Sequence, residues 1–152
     1  MMFDEMENKI SKDSSIYTRI LLGRASHSML KARQKELAPF RISPEQAHML
    51  FLLYNLGRKA TITELAKYLN RGNNTISIQI MRMEKDGLVK KSRRVPKSTL
   101  LTFELTKHGL DAYLFSRKTK VDNEIMSILS DTEREQIISM LKRIITKADE
   151  CC

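Results

Sequence analysis

The sequence predicts a mainly α-helical chain with one small β-hairpin, on three observations. Helix start signals stand at Ser43, Thr61 and Ser130, and apolar residues recur at helical spacing along most of the chain. Only Leu88 to Leu105 breaks that rhythm, with a basic stretch, a proline and a run of β-branched and aromatic residues. The length, 152 residues, suits one domain (1–152) with a real core and is short for two. A hydrophobic share of 41%, with 30% charged residues and only 5 Gly and 3 Pro, fits a helix-rich soluble protein rather than a disordered or disulfide-stapled one.

Asp13 to about Leu37 reads as a long helix, with Ile16, Ile20, Leu30 and Leu37 on one side and Pro39 ending it. SPEQ, Ser43 to Gln46, places a serine N-cap, a proline at the first helical position and a glutamine able to reach back to the cap amide. That helix should run to about Asn55 and stop at Gly57. TITE, Thr61 to Glu64, opens a short helix through Leu65, Ala66 and Leu69 in the same way.

RGNNTISIQIMRMEKDGLV, Arg71 to Val89, admits two readings. Ile76, Ile78 and Ile80 alternate with polar residues as in a strand, yet Ile76, Ile80 and Met83 also form one helical face. Gly72-Asn73-Asn74 can open a helix, Gly87 can close it, and a strand ending at Met81 would strand Arg82 to Asp86. A helix over about 73–86 follows, with Ile76, Ile80 and Met83 turned toward Leu65, Leu69 and Leu52 or Leu53. The hairpin, about 88–105, comes next. Leu110, Leu114, Val121 and Ile128 then suggest one long helix from Lys107 to Leu129, and SDTE, Ser130 to Glu133, opens another with Ile137, Leu141, Ile144 and Ala148 on a stripe.

Two short helices joined by a tight turn and followed by a hairpin make a winged helix-turn-helix lobe, 41–106. The long terminal helices, 13–40 and 107–150, carry more apolar stripe than a compact monomer covers. They are expected to dimerise through Ile16, Ile20, Ile137, Leu141 and Ile144.

Net charge is +9, from 27 Lys+Arg against 18 Asp+Glu, so a polyanion is the natural partner and double-stranded DNA comes ahead of a membrane surface. Around the contested helix, Arg71, Asn73, Asn74, Thr75, Ser77, Ile78 and Arg82 are left near its N-terminus or on its outer side. Asn can pair bidentately with adenine, Ser and Thr donate or accept, and Ile can pack on a thymine methyl. The hairpin carries Lys90, Lys91, Arg93, Arg94 and Lys97 with no acid from Gly87 to Leu101. Arg93, Arg94 and Lys97 are the candidate wing contacts to phosphate. About 8 to 10 phosphates neutralised by a dimer would give a log K against log salt slope of about −7 to −9.

ITELAKYLNRGNNTISIQIMRMEKDGLVKKSRR, followed by LTKHG at Leu105 to Gly109, resembles the multiple-antibiotic-resistance-regulator (MarR) family of bacterial transcription factors. The matching features are Leu65-Ala66, Ile76-Ser77, Met83-Glu84 through Gly87-Leu88-Val89, and Leu105-Thr106 with Gly109. The resemblance implies a triangular homodimer with interlocked first and last helices and two winged lobes on successive major grooves of a pseudo-palindromic operator. It also implies release of DNA by a small aromatic or apolar effector, and so a repressor. The wing tip departs from the family's Asp and Arg, holding Pro96, Lys97, Ser98 and Thr99, and Ile78 stands where a basic residue is common. A winged-helix protein-interaction module with only weak DNA binding is the alternative.

No enzyme is expected: there is no Gly-rich phosphate loop or clustered acid pair, and His27, His48 and His108 lie on three different elements. No cofactor or metal site is expected either. His27 shares a side with Ile20 and Leu30, as a core or dimer-interface residue would. The adjacent Cys151 and Cys152 read as a reduced tail, with a thiol sensor or metal ligand as the sharper reading. The longest apolar run, Met49 to Tyr54, is far short of a membrane span, and the N-terminus has no signal-peptide pattern, so a cytoplasmic location is expected.

Overall fold

In the computed structural model, which describes residues 15–152 apart from 94, 98 and 119, four helices begin at Ser43, Thr61, Thr106 or Ser130, each of whose side chains accepts from an amide of the first turn. The elements are α1 (Ser15–Leu37), a 3-10 turn (Ala38–Phe40), α2 (Pro44–Asn55), β1 (Lys59–Ala60), α3 (Ile62–Leu69), α4 (Asn73–Lys85), β2 (Val89–Arg93), β3 (Leu101–Leu105), α5 (Lys107–Ser116), α6 (Val121–Met126) and α7 (Asp131–Asp149). All three sequence-predicted capping boxes form. Ser43 Oγ accepts from Gln46 N (3.1 Å) and Gln46 Oε1 from Ser43 N (2.9 Å), and Thr61 with Glu64 and Ser130 with Glu133 repeat the pattern. The chain divides into two compact units, one ending at residue 119 and the other Lys120–Cys152.

The first unit's core lies where α2, α3 and α4 meet the sheet. Leu50, Leu53, Leu65, Ile76, Ile80 and Met83 are all fully buried there, so the helical stripe inferred for Ile76, Ile80 and Met83 is the packed one. Leu52 and Leu69 pack against this core from partly buried positions. The predicted hairpin is one part of a three-stranded antiparallel sheet ordered β1-β3-β2. β2 pairs with β3 from Val89↔Leu105 to Arg93↔Leu101, and β1 adds Lys59↔Glu104 and Ala60↔Phe103. At two residues β1 is too short to show a period of its own.

The LTKHG motif has a local physical cause. Thr106 caps α5, its Oγ1 accepting from Gly109 N (2.9 Å) and donating to Gly87 O, while Thr106 N donates to Leu88 O (3.1 Å). α5 therefore starts against the exit of α4, and a Cβ on Gly109 would sit 1.9 Å from Leu88 O. Only glycine fits there.

The single helix expected from Lys107 to Leu129 is not formed, and this expectation is corrected. α5 stops at Ser116, and α6 begins only at Val121. Ser116 Oγ donates back to Tyr113 O (2.7 Å), and Arg33 Nη2 donates to Ser116 O (3.1 Å), a carbonyl that a continuing helix would have offered to the residue four places on. The apolar spacing across Arg117 is real, but the helix ends before it, and Arg33 satisfies one of the carbonyls left over at that end.

Candidate nucleic-acid interface

The turn between α3 and α4 is built by Asn70, whose φ of 49° reverses the chain, and by Arg71 N donating to Ala66 O (3.0 Å). Gly72 then serves as the N-cap of α4 in extended conformation and supplies no side-chain oxygen. The first amides of α4 are left without a side-chain acceptor, the arrangement that suits an anion such as a phosphate.

With Ile76, Ile80 and Met83 buried, the opposite side of α4 is set by geometry. Asn73, Asn74, Thr75, Ile78 and Arg82 are exposed there, and Arg71 is exposed just before the helix. Ser77 stands apart from the centre of that side. It is half-buried and borders a groove of about 410 Å³ between α4, the start of α3 and the wing strands, floored by Ile62, Leu101 and Phe103. Met81, 65% exposed, and Lys85 occupy the outward side and were not nominated from the sequence. Their spacing of three and seven from Ile78 was the available signal.

The wing is less positively charged than its sequence. Lys90 Nζ and Lys59 Nζ both contact the Glu104 carboxylate (3.1 and 3.0 Å), and Lys91 Nζ contacts Glu84 of α4 (3.4 Å). The hydrogen bond from Lys59, followed by those from Lys90 and Ser92, holds the Glu104 carboxyl below its ordinary value despite partial desolvation. Two wing lysines thus serve to fasten the sheet and to tie it to α4. Arg93 and Lys97 are exposed and, like Arg71, Arg82 and Lys85, have no acidic partner among the described residues. Arg94 lies outside the described residues.

Of the nominated dimer residues, Ile16 on α1 is 60% exposed and Ile20 is half-buried. On α7, Ile137 and Ile144 are exposed, Leu141 is half-buried, and no residue of the helix is buried. His27 is exposed on α1 rather than set in the core. Cys151 and Cys152 are exposed free thiols, and no group of His, Cys, Asp and Glu among the described residues could hold a metal ion. No helix among them is long and apolar enough to cross a membrane.

A second concave feature lies between α1, α2 and α5. It is a cleft of about 310 Å³ lined by Arg33, His48, Phe51, Tyr113, Ser116 and Arg117, among others. Tyr113 stacks on Tyr54 (centroids 4.3 Å apart), with Arg117 over Tyr113 and Arg58 over Tyr54. Desolvation holds the His48 imidazole below its ordinary value of 6.5, so it is neutral at pH 7 and able to donate or accept.

Helices α2 to α4, closed by a sheet whose hairpin extends beside α4, define a winged helix-turn-helix lobe. The model of the MarR family matches residues 42–95, which lie within this lobe. No curated protein matches the chain. Among solved structures, the organohalide-sensing RdhR transcriptional regulator in its 2,4-dichlorophenol-bound form is similar at a TM-score of 0.83, with 22% identity, over 90% of this chain and 82% of that one. The S. aureus MepR–DNA complex is similar at 0.75, with 24% identity, over 91% and 99%. The transcriptional repressor CouR bound to p-coumaroyl-CoA is similar at 0.72, with 23% identity, over 82% and 88%. At these identities the likeness is one of fold.

Proposed function

We propose that the protein is a homodimeric, sequence-specific DNA-binding transcriptional regulator, a repressor released from its operator by a small aromatic or apolar effector. The observation that carries this is the outward side of α4. Asn74, Thr75, Ile78 and Arg82 are exposed on it, its N-cap supplies no side-chain hydrogen bond, Arg71 is exposed just before it, and the wing that follows it carries the exposed cations Arg93 and Lys97. Asn and Thr read base edges, the cations take phosphates, and the helix is of a size to enter a major groove. The family match and the fold shared with a DNA-bound regulator support the same reading.

Dimerisation is supported by α7, whose 19 residues include no buried one. The effector is supported by the cleft beside α2, where the exposed Phe51 ring offers an apolar face to an aromatic ligand and the exposed Arg117 can meet an acidic group on it. Two of the structures of like fold hold an organic ligand, 2,4-dichlorophenol or p-coumaroyl-CoA.

Fluorescence anisotropy with duplex from the promoter of the protein's own gene, against a scrambled duplex, tests the proposal. Tighter binding to the promoter duplex is expected. Because Lys90 and Lys91 are already paired in each protomer, a dimer should neutralise about 4 to 6 phosphates, and the log K against log salt slope should be about −4 to −5. Equal or absent binding would favour the alternative, a winged-helix interaction module, for which the internal neutralisation of those two lysines speaks.

A further inference from the structure

We propose that α4 reads thymine methyl groups, with Ile78 as the reader, so that each operator half-site carries an A·T pair beneath the middle of the helix. This rests on the DNA-binding reading above and names the class of sequence bound.

Ile78 is 53% exposed at the centre of the outward side of α4, with Asn74 one turn before it and Arg82 one turn after. No side chain of the lobe covers it as Ile76 and Ile80 are covered. What does cover it is indicated by charge. Arg71, Arg82 and Lys85 surround this side without an acidic partner among the described residues, so the occupant is a polyanion rather than an apolar helix of another protein.

An isoleucine inside a major groove can favour only one feature, because the C5 methyl of thymine is the single apolar group on the base edges there. Over G·C it would strip water from the guanine N7 and O6 or the cytosine amine and return no hydrogen bond, at a loss of about tenfold. Over thymine it buries a methyl, worth about fourfold. Asn74 lies about 6 Å along the helix from Ile78, roughly two base-pair steps, and its amide suits the N6 and N7 of adenine. The two residues together select A·T pairs about two base pairs apart. A basic side chain at position 78 would reach for guanine instead.

Selection by the full-length protein from a library of duplexes with a random 24-base-pair centre supplies the probe. The enriched duplex is then resynthesised with each thymine replaced in turn by deoxyuridine, which removes only the methyl. At one thymine per half-site the replacement should weaken binding about fourfold, and about fifteenfold when made in both half-sites. Ile78→Ala should bind the thymine and deoxyuridine duplexes equally, and Ile78→Val should fall between. Because Ile78 is exposed, the variants should keep wild-type circular dichroism and melting. The inference is overturned if every replacement leaves affinity within twofold, or if Ile78→Ala still discriminates thymine from deoxyuridine. If no duplex is enriched, the DNA-binding reading itself falls and takes this one with it.

Discussion

Helices α4 and α7 are written in the same style and meet opposite fates. Each carries a stripe of large apolar residues at helical spacing, Ile76, Ile80 and Met83 in α4 and Ile137, Leu141 and Ile144 in α7. In α4 that stripe, Ile76, Ile80 and Met83, is fully buried against the lobe, whereas in α7 Ile137, Ile138, Met140, Ile144 and Ile145 are each 38–56% exposed. An isolated helix of this length is marginal in water, and every large apolar side chain left exposed forgoes about 1.5–3 kcal/mol. The lobe is complete as a fold, and the second unit has its recognition surface still open. We read that surface as the place for a second copy.

The largest effect should come from breaking that surface. Leu141→Asp with Ile144→Asp would set two carboxylates where a partner helix must pack, at a cost of several kcal/mol. Sedimentation velocity should show a dimer for wild type and a monomer for the double variant. Affinity for a two-half-site duplex should fall by about 100-fold or more, because two lobes would no longer bind as one unit. An unchanged sedimentation coefficient and unchanged affinity would remove α7 from the interface.

Where α5 meets the lobe, Gly109→Ala should be the most damaging single change. The added methyl meets backbone, the Leu88 carbonyl at 1.9 Å, so α5 must move away from the end of α4. A loss of about 2–4 kcal/mol is expected from overpacking at a rigid neighbour, read as a lower urea midpoint with unchanged slope. Gly23→Ala, with nothing within 4 Å of the new methyl, is the control and should be neutral or slightly stabilising.

How much of this was legible in the sequence follows from how local each signal is. The caps at Ser43, Thr61 and Ser130 and the inward side of α4 involve residues three or four apart, and the structure keeps them. The end of α5 at Ser116 is met by Arg33, 83 residues away, a contact that no periodicity could announce. β1 likewise exists only because β3 offers it an edge. At the candidate interface, Asn73, Asn74, Thr75 and Arg82 could be nominated by chemistry and spacing alone. The occupation of Lys90 and Lys91 could not, since Glu104 and Glu84 lie outside the basic run that drew attention to them.

That distinction between paired and unpaired wing cations can be sharpened directly. Arg93→Ala should weaken binding to every duplex by about 1 kcal/mol and reduce the magnitude of the salt slope by about 1 per protomer. Lys91→Ala should change the salt slope little, because its charge already meets Glu84, and should act through a loosened contact between β2 and α4. Equal slopes for the two variants would mean that the Lys91–Glu84 pair opens on DNA.

The smallest effect concerns Glu104, which joins β1 and β2 to the central strand through Lys59 and Lys90. Its carboxyl is held below its ordinary value of 4.5, first by the hydrogen bond from Lys59, so its charged form is favoured in the folded chain. A group with a depressed folded pKa contributes stability above its unfolded pKa and loses it as pH falls through the folded one. Glu104→Gln should therefore cost a few tenths to about 1 kcal/mol at pH 7, in keeping with a pair that is partly open to solvent. The gap between variant and wild type should hold from neutral pH down to about 5 and close progressively below 4.5, measured by urea unfolding at a series of pH values. Glu84→Gln, whose partner Lys91 also sits on β2, should show a smaller gap at neutral pH, since it holds one lysine where Glu104 holds two. A gap for Glu104→Gln that persists unchanged to low pH would assign the loss to packing of the strand and not to its charge.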